Sequence, residues 1–462
     1  MAEKENWCFE VCSNTIDVKE RKLMKVKRLA LRFVLLQMLV VCIVCMEGLG
    51  GIRESTSGIL IFFIAGTNIF ALIKNKLLFT PLVFPNVYLA LFGLYELKLR
   101  LGMTEMSIEK KFVITTCMLI WVVICISSKA MFNRVPVYSD YRFSYPKLKR
   151  WLFVLSGISI SMMLYEWYLA GGIPALQTNS ELFRMQVSQS GITHTLAIMI
   201  KIVAVLIEAY WISGKSKKQP KSRAFIFLYL IALMMMWGTA NRGEMLFIPV
   251  VGLIILWTKY PPKKRKVLML SIAGLVVLAV YPAVRGYGMY GRSYFLQYAA
   301  VSKYPELGWF MPLYGTLAFN FEILNKLFIT FPKAVPWGMG QYTILCRIPF
   351  LNIGEELWIV QNEVWNNGFY GALTSTYMGP WYADFGVIGC YLGTVIICSI
   401  NVYLYKKLVR KKSFGALVLY AYLFYITLVG SYGDAFNFVT VCYTILIWFV
   451  MCQCEKKDKV IL

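Results

Sequence analysis

Seven charged side chains stand apart from their surroundings in this sequence: Arg184, Arg242, Arg285 and Arg292, and the carboxylates Glu166, Glu244 and Asp384. Arg285 and Arg292 bracket RGYGMYGR, where Gly286, Gly288 and Gly291 allow backbone to approach a ligand closely. Planar guanidinium forks match phosphate oxygens, so arginines on such a stretch suit a phosphate or pyrophosphate clamp. The stretch is neither a Walker loop nor a dinucleotide fingerprint. Arg242 sits in TANRGEM, a tight link between two apolar runs, with Asn241 and Glu244 beside it. Arg184 lies in GGIPALQTNSELFRMQVSQSG, which holds no other basic residue. There Gly171, Gly172 and Pro174 end one helix, and Ser180 before Glu181 opens a short one. Each arginine also has a plainer reading, as a solvated charge in a turn, a hinge or a surface helix.

Among the carboxylates, Asp384 stands in TYMGPWYADFGVIG with Tyr377, Trp381 and Tyr382 around it, and Glu244 follows Arg242 by two residues. A partly buried acid can be tuned to take a proton from a sugar hydroxyl, and structural pairing with an arginine is an equal reading for either one. Glu166, near the end of an apolar run, is a third such acid and a partner for one of the arginines. The one histidine, His194, heads another apolar run and is read as incidental. No DxD-like acidic cluster occurs on the same side, which argues against an obligate metal. The pairs Cys8/Cys12 and Cys42/Cys45 lack the His or second pair of a metal site.

The elements that must position these groups are apolar. Of 462 residues, 58% are hydrophobic and mean hydropathy is +0.60. Runs of about 20 apolar residues, the length that crosses a hydrocarbon core of about 30 Å, recur along the whole chain. They define an all-α polytopic membrane protein of about twelve transmembrane helices. These fall near 33–50, 59–73, 82–99, 112–131, 151–170, 193–213, 224–238, 245–258, 267–284, 376–405, 414–429 and 436–452. The first run is followed by EGLGGIREST, with no small-residue cleavage site, and is read as a retained span.

The net charge of +24 would suit nucleic acid in a soluble protein. Here it collects in alternate connections, with 33 lysines and arginines in one set of connections and tails against 12 in the other. Basic loops stay cytoplasmic, so both termini are expected inside and no nucleic-acid partner is expected. Most of the twelve cysteines lie within apolar runs, where they pack as small hydrophobes. The resulting organisation is a basic cytoplasmic tail (1–32), nine spans (33–284), one large outer segment (285–375), three more spans (376–452) and a short tail (453–462). The outer segment is read as a long polar-aromatic loop, too aromatic for disorder.

GGIPAL followed by Arg184, the NRG link at Asn241 to Gly243, a dominant late outer loop and TYMGPWYADFGVIG together resemble the Wzy-type oligosaccharide repeat-unit polymerases of bacterial O-antigen and capsule pathways. The family's arginine-to-glycine spacing of eleven is absent at Arg184, Arg242, Arg285, Arg292 and Arg347. The resemblance implies a GT-C-like, inverting, metal-independent glycosyltransferase of the bacterial cytoplasmic membrane, with no cofactor. Its substrates would be polyprenyl-pyrophosphate-linked oligosaccharides, one as donor and one as acceptor. A repeat-unit flippase and a chain-length regulator are further implied partners. On that reading the four arginines grip the pyrophosphate, Asp384, Glu244 or Glu166 takes the acceptor proton, and the sugars lie against Trp381, Tyr377 and Tyr290. The alternatives are a glycan ligase and a lipid-linked oligosaccharide flippase or other transporter, the last of which would set its cations along a central cavity.

Overall fold

A computed structural model describes residues 2–128, 142–177, 191–213, 222–260, 293–330, 374–411, 413–433, 435–436, 438–456 and scattered positions between 262 and 280. The regular structure within these residues is helical apart from short 3-10 turns, one two-residue strand pair and an isolated bridge between Arg100 and Ser302. The helices are α1 (Ala2–Gly48), α2 (Glu54–Lys74), α3 (Val83–Glu96), α4 (Ile108–Ser127), α5 (Tyr145–Leu169), α6 (Ile192–Ile198) and α7 (Ile200–Ser213). They continue with α8 (Arg223–Gly238), α9 (Arg242–Lys259), α10 (Ser293–Val301), α11 (Met311–Thr330), α12 (Met378–Lys411), α13 (Phe414–Val429) and α14 (Phe438–Cys454). Six described segments are long and apolar enough to cross a bilayer, and four shorter apolar helices accompany them, as expected of a polytopic membrane protein.

Helices form here because intrahelical bonding is the way an open chain satisfies its backbone in hydrocarbon. Their outward faces keep large apolar side chains exposed, including Phe62, Phe63, Phe70, Phe227, Met234 and Trp448. Apolar surface of that extent calls for lipid, not water. Inside, small residues bring backbones together. Gly58 of α2 faces Gly93 of α3 so closely that a Cβ on either would stand 2.8 Å or less from the carbonyl oxygen of the other. Close approach through small residues is the usual device where lipid competes for apolar contacts.

The two ends of the bundle differ in kind. At one, which we call the Glu47 end, α1 closes, α2 and α4 open, α3 closes, and the buried acids gather. At the other, the Lys259 end, Lys259 donates to the carbonyls of Ile212 and Ser213, closing α7. There too β1 (Arg142–Phe143) pairs antiparallel with β2 (Glu455–Lys456), and the Ser144 N–H donates to the Cys454 carbonyl at 2.8 Å.

Two features differ from the sequence expectation. Residues 293–301 and 311–330, expected in a loop, are helices, and α11 packs against α3 and α12. Polar residues Asn320, Glu322, Asn325 and Lys326 lower its hydropathy, but Glu322 accepts from Thr104 and Tyr95 and the Asn325 amide nitrogen donates to Thr104, so helix wins over loop. In addition, the span expected at 376–405 does not run straight. Gly386 has φ 62° and ψ −147°, a conformation open to glycine, and divides α12 into a short arm and a long one. The arms fold together: Tyr377 Oη meets Thr394 Oγ1 at 2.7 Å, and the Cys390 thiol lies 4.0 Å from the Met378 carbonyl. Irregular backbone at this depth is tolerated where protein buries it, and Thr376, Tyr377, Met378 and Ala383 are all buried.

Candidate functional site

Buried ionisable groups converge at the Glu47 end in two neighbouring clusters. The first joins α5, α6, α7, α9 and α14. Glu166, on the last turn of α5 with a side chain 1% exposed, lies 3.2 Å through Oε2 from His194 Nδ1 at the start of α6. Lys201 Nζ donates to Glu244 Oε2 at 2.6 Å, linking α7 to the first turn of α9. The same ammonium stands 5.0 Å from the Phe247 ring and 5.4 Å from that of Tyr443. The Tyr443 hydroxyl donates to the Thr195 carbonyl, next to His194, and both Glu244 and Glu166 act electrostatically on that ring. The Tyr425 hydroxyl donates to the Gly243 carbonyl at 3.1 Å, fixing the first turn of α9 from α13.

The local sequence explains why α9 begins where it does. Ala240 takes φ 54°, which reverses the chain after α8, and the Asn241 side chain then accepts from the Gly243 N–H at 3.0 Å. That is an Asn N-cap, which satisfies an orphan donor and starts the helix at Arg242. The acid Glu244 falls in the first turn, where the helix dipole favours it.

The second cluster joins α1 to α4 with α11. Lys111 of α4, 1% exposed, donates to Glu47 Oε1 at 2.7 Å, to Glu54 Oε1 at 2.9 Å and to Glu96 Oε2. The carboxylates of Glu47, Glu54 and Glu96 lie within 4.8 Å of one another, a spacing that would suit a cation. The lysine ammonium supplies that charge. Lys98 stands 3.7 Å from Glu54, 3.3 Å above the Tyr95 ring and 2.9 Å from the Thr104 carbonyl. Glu322 of α11, fully buried, accepts from the Thr104 hydroxyl at 2.7 Å, the Thr104 N–H at 3.1 Å and the Tyr95 hydroxyl at 3.2 Å. These bonds fasten the link between α3 and α4 to α11. Beside them Arg100 lays its guanidinium 4.7 Å from the Phe319 ring. Burial pushes that guanidinium down to about 10, while Tyr298 and Glu322 hold it up, so it remains cationic at neutral pH.

Of the expected site residues, Glu166 and Glu244 come together around Lys201 and Tyr443. Arg242 opens α9 in the same turn as Glu244, two residues before it. Arg184, Arg285, Arg292 and Tyr290 lie outside the described residues. Asp384 is 2% exposed, on the short arm of α12 two residues before Gly386. Tyr377 does not present a face for a sugar. It is 1% exposed, its ring lies 5.6 Å from Phe84 and 5.7 Å from Tyr88, and its hydroxyl meets Thr394, so it belongs to the core. Trp381 is half-buried and lies across Gly393, where a Cβ would stand 2.6 Å from its ring.

Sequence reasoning missed the second cluster, and it set His194 aside. A cavity of about 430 Å³ lined by Arg28, Leu31, Arg32, Leu35, Leu36 and Thr67 lies on α1 and α2 towards the other end, away from both clusters. No family model, curated protein or solved structure matches the chain.

Proposed function

We propose that this protein is a membrane glycosyltransferase that joins polyprenyl-pyrophosphate-linked oligosaccharide units at the outer face of a bacterial cytoplasmic membrane. The observation that carries the reading is the convergence of Glu166 and Glu244 with Lys201 and His194 at one end of the bundle, the end from which α9 starts at Arg242. A lipid tail lies between helices, the pyrophosphate meets cations at that end, and a group able to accept a proton stands within the same cluster. Cations preorganised in a water-poor site stabilise the charge that develops on a departing pyrophosphate.

The test is reconstitution. Full-length protein in proteoliposomes, given lipid-linked units extracted from cells lacking it, converts them to a ladder of longer glycans with release of the polyprenyl pyrophosphate, in EDTA as in its absence. Arg242→Ala lowers the rate by about 100-fold or more, the scale of losing one preorganised donor. Units that cross the bilayer without joining would replace this reading with transport.

A further inference from the structure

We infer that His194 is the base that takes the acceptor proton, and that Glu166 is the residue that positions it. The inference rests on the glycosyltransferase reading and goes beyond it by separating these two roles. His194 Nδ1 lies 3.2 Å from Glu166 Oε2, and the histidine is 26% exposed while the glutamate is 1% exposed. A carboxylate on Nδ1 holds the proton on that nitrogen, which leaves the lone pair on Nε2, at the far side of the ring. A carboxylate so enclosed reaches no sugar hydroxyl directly. The imidazole does, and the carboxylate stabilises the imidazolium that forms, as in acid–base pairs built on His elsewhere.

The surroundings fit that task. Gly191, with φ 56°, turns the chain into α6 and sets His194 in its first turn. The Tyr443 hydroxyl pins the adjacent Thr195 carbonyl, fixing the backbone that carries the ring. Among the described residues, the titratable groups around it are Glu166 from α5, Tyr443 from α14 and, beyond that ring, Lys201 of α7 paired with Glu244 of α9. Lys201 is committed to Glu244 and to two aromatic rings, and His194, at 26%, is more exposed than Glu244, at 19%. In the step itself, the acceptor O–H proton passes to Nε2 and the oxygen forms the new bond to the anomeric carbon. The bond from that carbon to the pyrophosphate oxygen breaks with its electron pair on the leaving group, and the imidazolium then releases its proton to water. Anomeric configuration inverts.

The experiment uses full-length protein in proteoliposomes with extracted lipid-linked units. His194→Ala lowers the rate by about 100-fold or more, the usual share of a general base, and added imidazole restores part of it. Glu166→Gln lowers kcat with KM little changed, because the acid acts through the ring and touches no substrate. A His194→Ala rate within about threefold of wild type, or a Glu166→Gln kcat equal to wild type, overturns the inference. A wild-type protein that joins no units overturns the glycosyltransferase reading instead, and the dyad is then tested alone. Nitrogen-15 NMR of the chain's one histidine shows the Nδ1–H form in wild type and its loss in Glu166→Gln, and an Nε2–H form in wild type overturns the dyad.

Discussion

Lys201 and Glu244 meet at 2.6 Å, with side chains 10% and 19% exposed, so one ion pair joins the middle of the chain's sixth apolar run to the first turn of α9. Neither charge is fully withdrawn, yet each is costly at that depth without the other. Lys201→Met therefore destabilises by about 1 to 3 kcal/mol, below the range for removing one partner of a wholly buried pair. The double variant Lys201→Met with Glu244→Leu recovers most of that loss. Thermal unfolding in detergent measures both, and single-site losses that merely add would show that the pair is not coupled.

The Lys111 cluster is buried more deeply and has more to lose. Lys111→Met leaves Glu47, Glu54 and Glu96 facing one another, at a cost of about 3 to 5 kcal/mol. Glu109→Gln, two residues away and exposed, changes stability by no more than about 0.5 kcal/mol. Equal effects in the two variants, read from chemical unfolding in mixed micelles, would remove the cluster from the account of stability.

Contact between α2 and α3 depends on bare backbone. Gly93→Leu drives a side chain into Gly58 and Phe62 and costs about 1 to 3 kcal/mol, the scale of overpacking. Gly66→Leu, on the exposed face of α2 with nothing within 4 Å of its Cβ, is tolerated. The comparison needs the yield of folded protein after gel filtration, and a well-folded Gly93→Leu would show that the helices can move apart freely.

Gly386 supplies the turn that divides α12. An alanine there takes a conformation that costs an L-residue about 1 to 2 kcal/mol, so Gly386→Ala lowers the melting temperature and loosens the short arm bearing Trp381 and Asp384. Gly157→Ala, mid-helix in α5 and in open space, is neutral or stabilising. Differential scanning fluorimetry separates the two, and matching shifts would mean that the turn is not held.

Most of the helices were legible, because an apolar run of bilayer length leaves the backbone few other solutions. α11 was not, since Glu322 and Asn325 break its hydropathy and only their partners on the α3–α4 link make it a packed helix. Glu166 and Glu244 stood out as acids at span ends, but the significance of His194 depends on a residue 28 positions away. The Lys111 cluster was hidden for the same reason: Glu47, Glu54, Glu96 and Lys111 each look like an ordinary charge at a helix end until four helices bring them together. Tyr377, conspicuous beside Trp381, turned inward because the arms of α12 close on each other at Thr394.

The pairing of Arg142–Phe143 with Glu455–Lys456, and the bond from Ser144 to Cys454, have a bearing on biosynthesis. The start of α5 is finished by residues that leave the ribosome more than 300 positions later. Until those residues emerge the early helices sit in the lipid without that clasp, and deleting Glu455 and Lys456 would take from Arg142 and Phe143 the strand that holds them.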